Sequence, residues 1–226
     1  MAISVDRVYQ TVLAIANKEQ RGYITPQEFN LFANQAQNEI FEQYFYDLNQ
    51  FHRIPGNSTV SSDARDIIEE KIALFRVTNA SYEGVLGDSV YRLEGVRYQE
   101  DNGNSHAAEE VTKKEYDAYH ASPLTTPPVN RPIFYRSGST IYGSPEGYDS
   151  ANIDYIRRPV SPNWTYTIVN SKALWNGAGT DFELHGSEEK NLIVKILQYA
   201  GVAIKDPAIT QLAVQKESSN IQQEKA

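Results

Sequence analysis

The chain has 226 residues, 40% of them apolar, with 21 Lys or Arg against 29 Asp or Glu and a formal net charge of −8. That length accommodates one large domain or two small ones with a sizeable core. The absence of cysteine excludes disulfides, thiolate metal sites and cysteine nucleophiles, and no apolar run is long enough to span a membrane.

The start, Met1-Ala2-Ile3-Ser4-Val5-Asp6, lacks a basic leader and a long apolar segment and does not read as a secretory signal. Ser4 can cap a first helix whose apolar stripe is Val5, Val8, Tyr9, Val12, Leu13 and Ala16, with Gly22 as its stop. The next start is the strongest in the chain. Thr25 serves as N-cap, Pro26 stands at N1, Glu28 at N3 completes a capping box, and Ile24 with Phe29 forms a hydrophobic staple. Phe29, Phe32, Ala33, Ala36, Ile40, Tyr44, Leu48 and Phe51 then recur at helical spacing until Pro55-Gly56. The predicted helix over 26–51 is a rod of about 39 Å at roughly 1.5 Å per residue, expected to pair with the first helix as a hairpin. A rod with nothing reactive beside it suits scaffolding or assembly better than catalysis. A shorter helix is expected over about 63–75, with Ser62 as cap and Ala64, Ile67, Ile68 and Ile72 as contacts.

From about residue 77 short β-type runs alternate with Gly, Pro, Asn and Asp. Strands are predicted over Val90–Tyr98, with Gly95 marking a bulge, over Asn152–Arg158 and over Trp164–Val169. Ile133–Arg136 and Thr140–Tyr142 flank Ser137-Gly138-Ser139, a hairpin signal. A short helix is expected at 112–119, with Thr112 as cap and Glu115 at N3. The proline-rich stretch Ser122–Pro132 is expected to be extended. Helical spacing returns in Leu192, Ile193, Ile196, Leu197, Ala200 and Ile204, and Asp206-Pro207 starts a last helix carrying Ile209, Leu212 and Ala213. Beyond Val214 apolar content collapses, leaving Ile221 alone in a polar tail. The expected architecture is therefore α+β. A helical domain covers 1–76, a β-rich domain 77–185, and residues 186–226 supply helices that complete the helical domain plus the tail.

No catalytic constellation emerges. His52, His106, His120 and His185 make no metal-ligand spacing, and loop or surface histidines are the simpler reading. Asp63, Asp66, Glu69 and Glu70 are better explained as helix-terminal charges than as a hydrolytic pair. Gly177-Ala178-Gly179-Thr180 lacks the Lys that grips phosphate and reads as a turn, and no G-x-S-x-G elbow surrounds any serine. No cofactor is expected. Residues 1–76 hold 7 basic and 10 acidic side chains, residues 77–185 hold 9 and 14, and residues 186–226 hold 5 and 5. An acidic body is poorly suited to gripping phosphate backbones. Arg157-Arg158, the one pair of adjacent arginines, is read as meeting a carboxylate across an interface. Phe41, Tyr44, Phe45 and Tyr46 nearly encircle the long helix, so part of their cover is expected from neighbouring copies in a ring interface.

The opening Met1–Tyr9, the run Asn17-Lys18-Glu19-Gln20-Arg21-Gly22-Tyr23-Ile24-Thr25-Pro26-Gln27-Glu28-Phe29-Asn30, the segment Ile153–Pro159 and the Asp206-Pro207 helix resemble structural proteins of tailed bacteriophages. Within that set the helical–β–helical order resembles head-to-tail connector proteins, also called adaptor, ring or neck proteins, of short-tailed and crAss-like phages. The resemblance implies a virion protein, assembled in the host cytoplasm, that forms a homo-oligomeric ring, commonly of twelve copies. Such a ring lies between the portal protein and the tail or further neck proteins, and DNA passes through it without specific binding. It further implies a C-terminal segment that docks on the portal, here through Ile209, Leu212 and Ile221. Another tail or neck part such as a fibre adaptor, or a decorating protein, is an alternative. A virion-associated wall hydrolase is a third, disfavoured by the missing metal motif, nucleophile elbow and acid pair.

Overall fold

The computed structural model describes residues 3–18, 24–53, 59–82, 84, 86–99, 104–145, 150–170, 172–203 and 215. The fold is mixed α+β. The chain divides into two compact units, one of residues 75–158 and one of residues 1–74 with 159–226. Residues 159–185, expected in the β-rich domain, thus belong with the helices. The reason lies in where their large side chains are buried.

In the helical unit, α1 (Val5–Lys18) begins at Ser4, whose carbonyl accepts from the Val8 amide at 3.2 Å. Asp181 adds a second cap, its Oδ1 accepting from the Val5 amide at 2.8 Å. Helix α2 (Pro26–Arg53) opens on the predicted box: the Thr25 amide donates to Glu28 Oε2 at 2.9 Å, and the Glu28 amide donates to Thr25 Oγ1 at 3.3 Å. Ile24 and Phe29 are both buried, as a staple requires. Helix α3 (Thr59–Ala73) starts before the expected cap, so Ser62 lies within it. A 3₁₀ turn (Gly186–Glu188), capped by His185, leads into α5 (Glu189–Ala203). Helix α5 packs along both α1 and α2, which do not pair closely as a hairpin but meet through Tyr9 edge-on to Phe29 at 4.8 Å.

Segment 159–185 is bound into this core. Trp164 and Phe182 are fully buried with Val5, Val8, Phe29, Leu192 and Ile196. Asn30 fastens the segment, its Oδ1 accepting from the Trp164 amide at 2.8 Å and its Nδ2 donating to Asn163 Oδ1 at 2.9 Å. Buried Gln37 of α2 donates to the Val160 carbonyl and accepts from the Glu183 amide. Between these anchors lies a two-stranded ribbon, β7 (Tyr166–Val169) and β8 (Lys172–Trp175). Trp164 stands just before β7 instead of inside a strand. Where a turn was expected over 177–180, the chain bends at Gly177, at φ +81°, and Thr180 bridges to Asn163.

The other unit is a curled six-stranded sheet ordered β1-β6-β2-β3-β4-β5, in which only β3 and β4 pair in parallel. Its strands are β1 (Arg76–Tyr82), β2 (Val90–Gln99), β3 (Ser105–Glu110), β4 (Ile133–Ser137), β5 (Thr140–Ser144) and β6 (Ser150–Arg157). The β2–β6 register slips between Leu93 and Gly95, the predicted bulge. Helix α4 (Lys113–His120) has Thr112 as N-cap and a complete capping box with Glu115. Leu86, Val96, Tyr98, Phe134, Ile141, Ala151 and Ile153 form the core. The proline-rich stretch is turned and not extended, with i to i+3 bonds from Thr125 to Ser122 and from Arg131 to Pro128.

Candidate functional site

The ring-interface expectation for the four α2 aromatics fails for three of them. Phe41, Tyr44 and Phe45 are buried in the chain's own core, so they offer no face to a neighbour. Phe41 and Phe45 pack edge to face at 5.1 Å, and the Lys71 ammonium of α3 sits 5.6 Å from the Tyr44 ring centre. The helix needs cover on several faces, and α3 and α5 provide it. Tyr46 differs: it is 56% exposed. The docking candidates Ile209, Leu212 and Ile221 lie outside the described residues.

Arg157 and Arg158 separate in role at the end of β6. Arg157 lies over the Phe75 ring at 6.0 Å, and its amide donates to the Phe75 carbonyl. Arg158 is exposed and held by its amide, which donates to the Ser89 carbonyl at 2.7 Å. Its side chain lines an open recess of about 470 Å³ with Leu86, Gly87, Asp88, Val90, Arg136, Gly138 and Ser139. Three backbone bonds shape that recess: Leu86 to Ser139, Val90 to Gly87, and Arg158 to Ser89. The β4–β5 turn completes it, with Gly138 at φ +61°, a conformation glycine adopts without a Cβ penalty. Arg136 Nε donates to the Gly138 carbonyl at 2.8 Å, which leaves the terminal nitrogens of the guanidinium for another acceptor.

Among the described residues of the helical unit, the β7–β8 ribbon carries three exposed large apolar side chains. Ile168 is 72% exposed, and Val169 and Leu174 are about half exposed. Its base is aromatic, with Trp164 stacked near Tyr166 at 5.8 Å and near Trp175 at 5.7 Å. Each strand pairs only with the other among the described residues, so both outer edges present unpaired ladder groups.

Polar pairs that sequence reading missed bind the elements together. Buried Glu188 meets Lys71 and accepts from Asn191. Glu39 of α2 accepts from Lys195 at 2.9 Å and from the Tyr199 hydroxyl of α5. Burial pushes the Glu39 carboxyl up, but the Tyr199 and Lys195 hydrogen bonds and the Lys195 charge outweigh it and hold it below its ordinary value. Burial, and then Glu39 itself, raises the Tyr199 hydroxyl. The Lys71–Glu188, Glu39–Lys195 and Glu39–Tyr199 contacts had no sequence signal, because each joins residues far apart in the chain.

One further contact has the chemistry of a nucleophile and base. His120 Nε2 lies 2.8 Å from Ser144 Oγ, and its Nδ1 lies 2.8 Å from the Tyr116 carbonyl. That carbonyl can only accept, so Nδ1 donates to it, and in the neutral ring Nε2 accepts from the Ser144 hydroxyl. Ser144 is only 2% exposed. The pair fastens α4 to β5, together with the Tyr116 hydroxyl on the Gly143 carbonyl. Among the described residues no group of three or more His, Asp or Glu is placed to hold a metal, and no helix is long and apolar enough to cross a membrane. No protein-family model matches the chain, and no curated protein matches it.

Proposed function

We propose that this chain is a structural protein of a tailed-phage virion, a head-to-tail connector that assembles as a ring between portal and tail around the DNA channel. The observation that carries the reading is the β7–β8 ribbon. Ile168, Val169 and Leu174 project from a two-stranded element with two open edges. Such a ribbon is marginal in water by itself and is a hazard unless another chain covers it. A subunit built for permanent assembly supplies that cover; a freely diffusing enzyme has no use for the exposure. The capped 28-residue helix α2 supports the same reading, as a rigid strut for side-by-side packing. Tyr46 on that helix is a contact to a neighbour. The segment carrying Ile209, Leu212 and Ile221 docks on the portal. The net charge of −8 suits a channel past which DNA slides, since like charges gain nothing from counterion release.

Co-sedimentation with the cognate portal, alongside an Ile168→Asp/Leu174→Asp variant, tests this reading. The native chain is expected to sediment as an oligomer and with portal, and the variant to fold but lose one or both associations. A native chain that remains monomeric and leaves portal unbound contradicts the connector reading.

A further inference from the structure

We propose that the recess lined by Leu86, Val90, Arg136 and Arg158 receives the outer face of α3 from a second copy of this chain. This rests on the connector reading and names one contact by which its ring closes.

The recess combines an apolar floor with two guanidinium groups. Among the described residues neither Arg136 nor Arg158 pairs with a carboxylate, whereas Arg76 meets Glu94 and Arg97 meets Asp154 in the same unit. An arginine left open beside Leu86 and Val90 suits a carboxylate carried on an apolar surface. Helix α3 has such a surface. Asp63, Asp66, Ile67 and Glu70 recur at i, i+3, i+4 and i+7, which sets them on one stripe. All four are exposed, Ile67 by 55%, and exposed Leu74 continues the line just past the helix end. The opposite side of the helix is the packed one, with Ile72 buried, and Lys71 on the flank of the stripe is held by Glu188. Among the described residues Asp63, Asp66 and Glu70 meet no cation, while neighbouring Glu69 pairs with Arg65.

The two surfaces match in charge and in apolar content, and one chain carries both. They are different surfaces, so their contact is heterologous, and a heterologous contact propagates around a ring. A continuous run of phosphates fits less well, because Asp88 also lines the recess and the chain as a whole is acidic.

Charge reversal tests the pairing. Arg136→Glu/Arg158→Glu reverses the recess and Asp66→Arg/Glu70→Arg reverses the helix face, with circular dichroism confirming the fold of each. In sedimentation velocity and native mass spectrometry each variant alone is expected to self-associate at least about tenfold more weakly than the native chain. An equimolar mixture restores assembly, because each reversed surface then meets its complement, and the fourfold variant assembles by itself. The milder Arg136→Gln/Arg158→Gln weakens association without reversal should the Glu variant fail to fold. Variants that assemble like the native chain overturn this contact and leave the ring standing. Folded variants that lose assembly without rescue in the mixture overturn the pairing. A native chain that never assembles, alone or with portal, overturns the contact and the connector reading together. Native binding of duplex DNA at physiological salt that Arg136→Glu/Arg158→Glu abolishes gives the recess to phosphate and also overturns the proposal.

Discussion

The indole Nε1 of Trp164 donates to Asp6 Oδ1 at 2.9 Å, joining residues 158 positions apart. Trp164 is fully buried and lies 4.1 Å from the Tyr9 ring, so the bond satisfies a donor that has no water. Asp6→Ala is expected to cost about 1–3 kcal/mol by stranding that donor. Trp164→Phe/Asp6→Ala, which removes both polar partners, should cost less than the sum of the single changes. Urea denaturation followed by circular dichroism gives all three values; additive losses would show that the two groups do not act as a pair.

Thr25→Ala removes the cap that starts α2 and is expected to cost about 1 kcal/mol. Ile24→Ser should add to that loss by breaking the staple against Phe29. Thermal unfolding measures both, and unchanged midpoints would contradict the cap.

Glu39 links stability to pH. Its carboxyl lies below the ordinary 4.5 when folded, so its contribution is fully present above that value and is lost as pH falls through the depressed one. Glu39→Gln should therefore be less stable than the native chain at neutral pH, with the difference narrowing on acidification through that window. Denaturation curves taken at neutral and acid pH test the sign; a gap that is constant with pH would contradict it.

Much of this fold was legible in the sequence where the signal is local. Thr25, Glu28 and the staple around them define a helix start unaided, and Thr112 with Glu115 does the same for α4. Gly95 marked its bulge for a similar reason. What stayed hidden depends on distant partners. Trp164 reads as a strand residue until Asn30 and Asp6 are seen holding it, which is why residues 159–185 were expected in the wrong unit. Strand β3, Ser105-His-Ala-Ala-Glu-Glu, has no β-branched residue and is organised by its pairing with β2. The aromatics of α2 signalled a need for cover without saying whose. The recess was equally silent, because Arg136 and Arg158 come together only through the turns at Ser89 and Gly138.

Phe45 and Tyr46 are sequence neighbours with opposite expected effects. Phe45→Ala should cost about 3–5 kcal/mol of folding stability through the cavity it leaves. Tyr46→Ser should change folding by no more than about 0.5 kcal/mol, since its ring is largely exposed, and should weaken self-association instead. Denaturation together with sedimentation equilibrium separates the two effects. A Tyr46 variant that associates like the native chain would remove that residue from the interface.

Electron microscopy of the purified native chain, alone and mixed with its cognate portal, decides whether the proposed ring forms. Closed rings of one size with a central channel, stacked coaxially on the portal in the mixture, are the expected result. Monomers in both preparations, or particles that leave the portal bare, would contradict it.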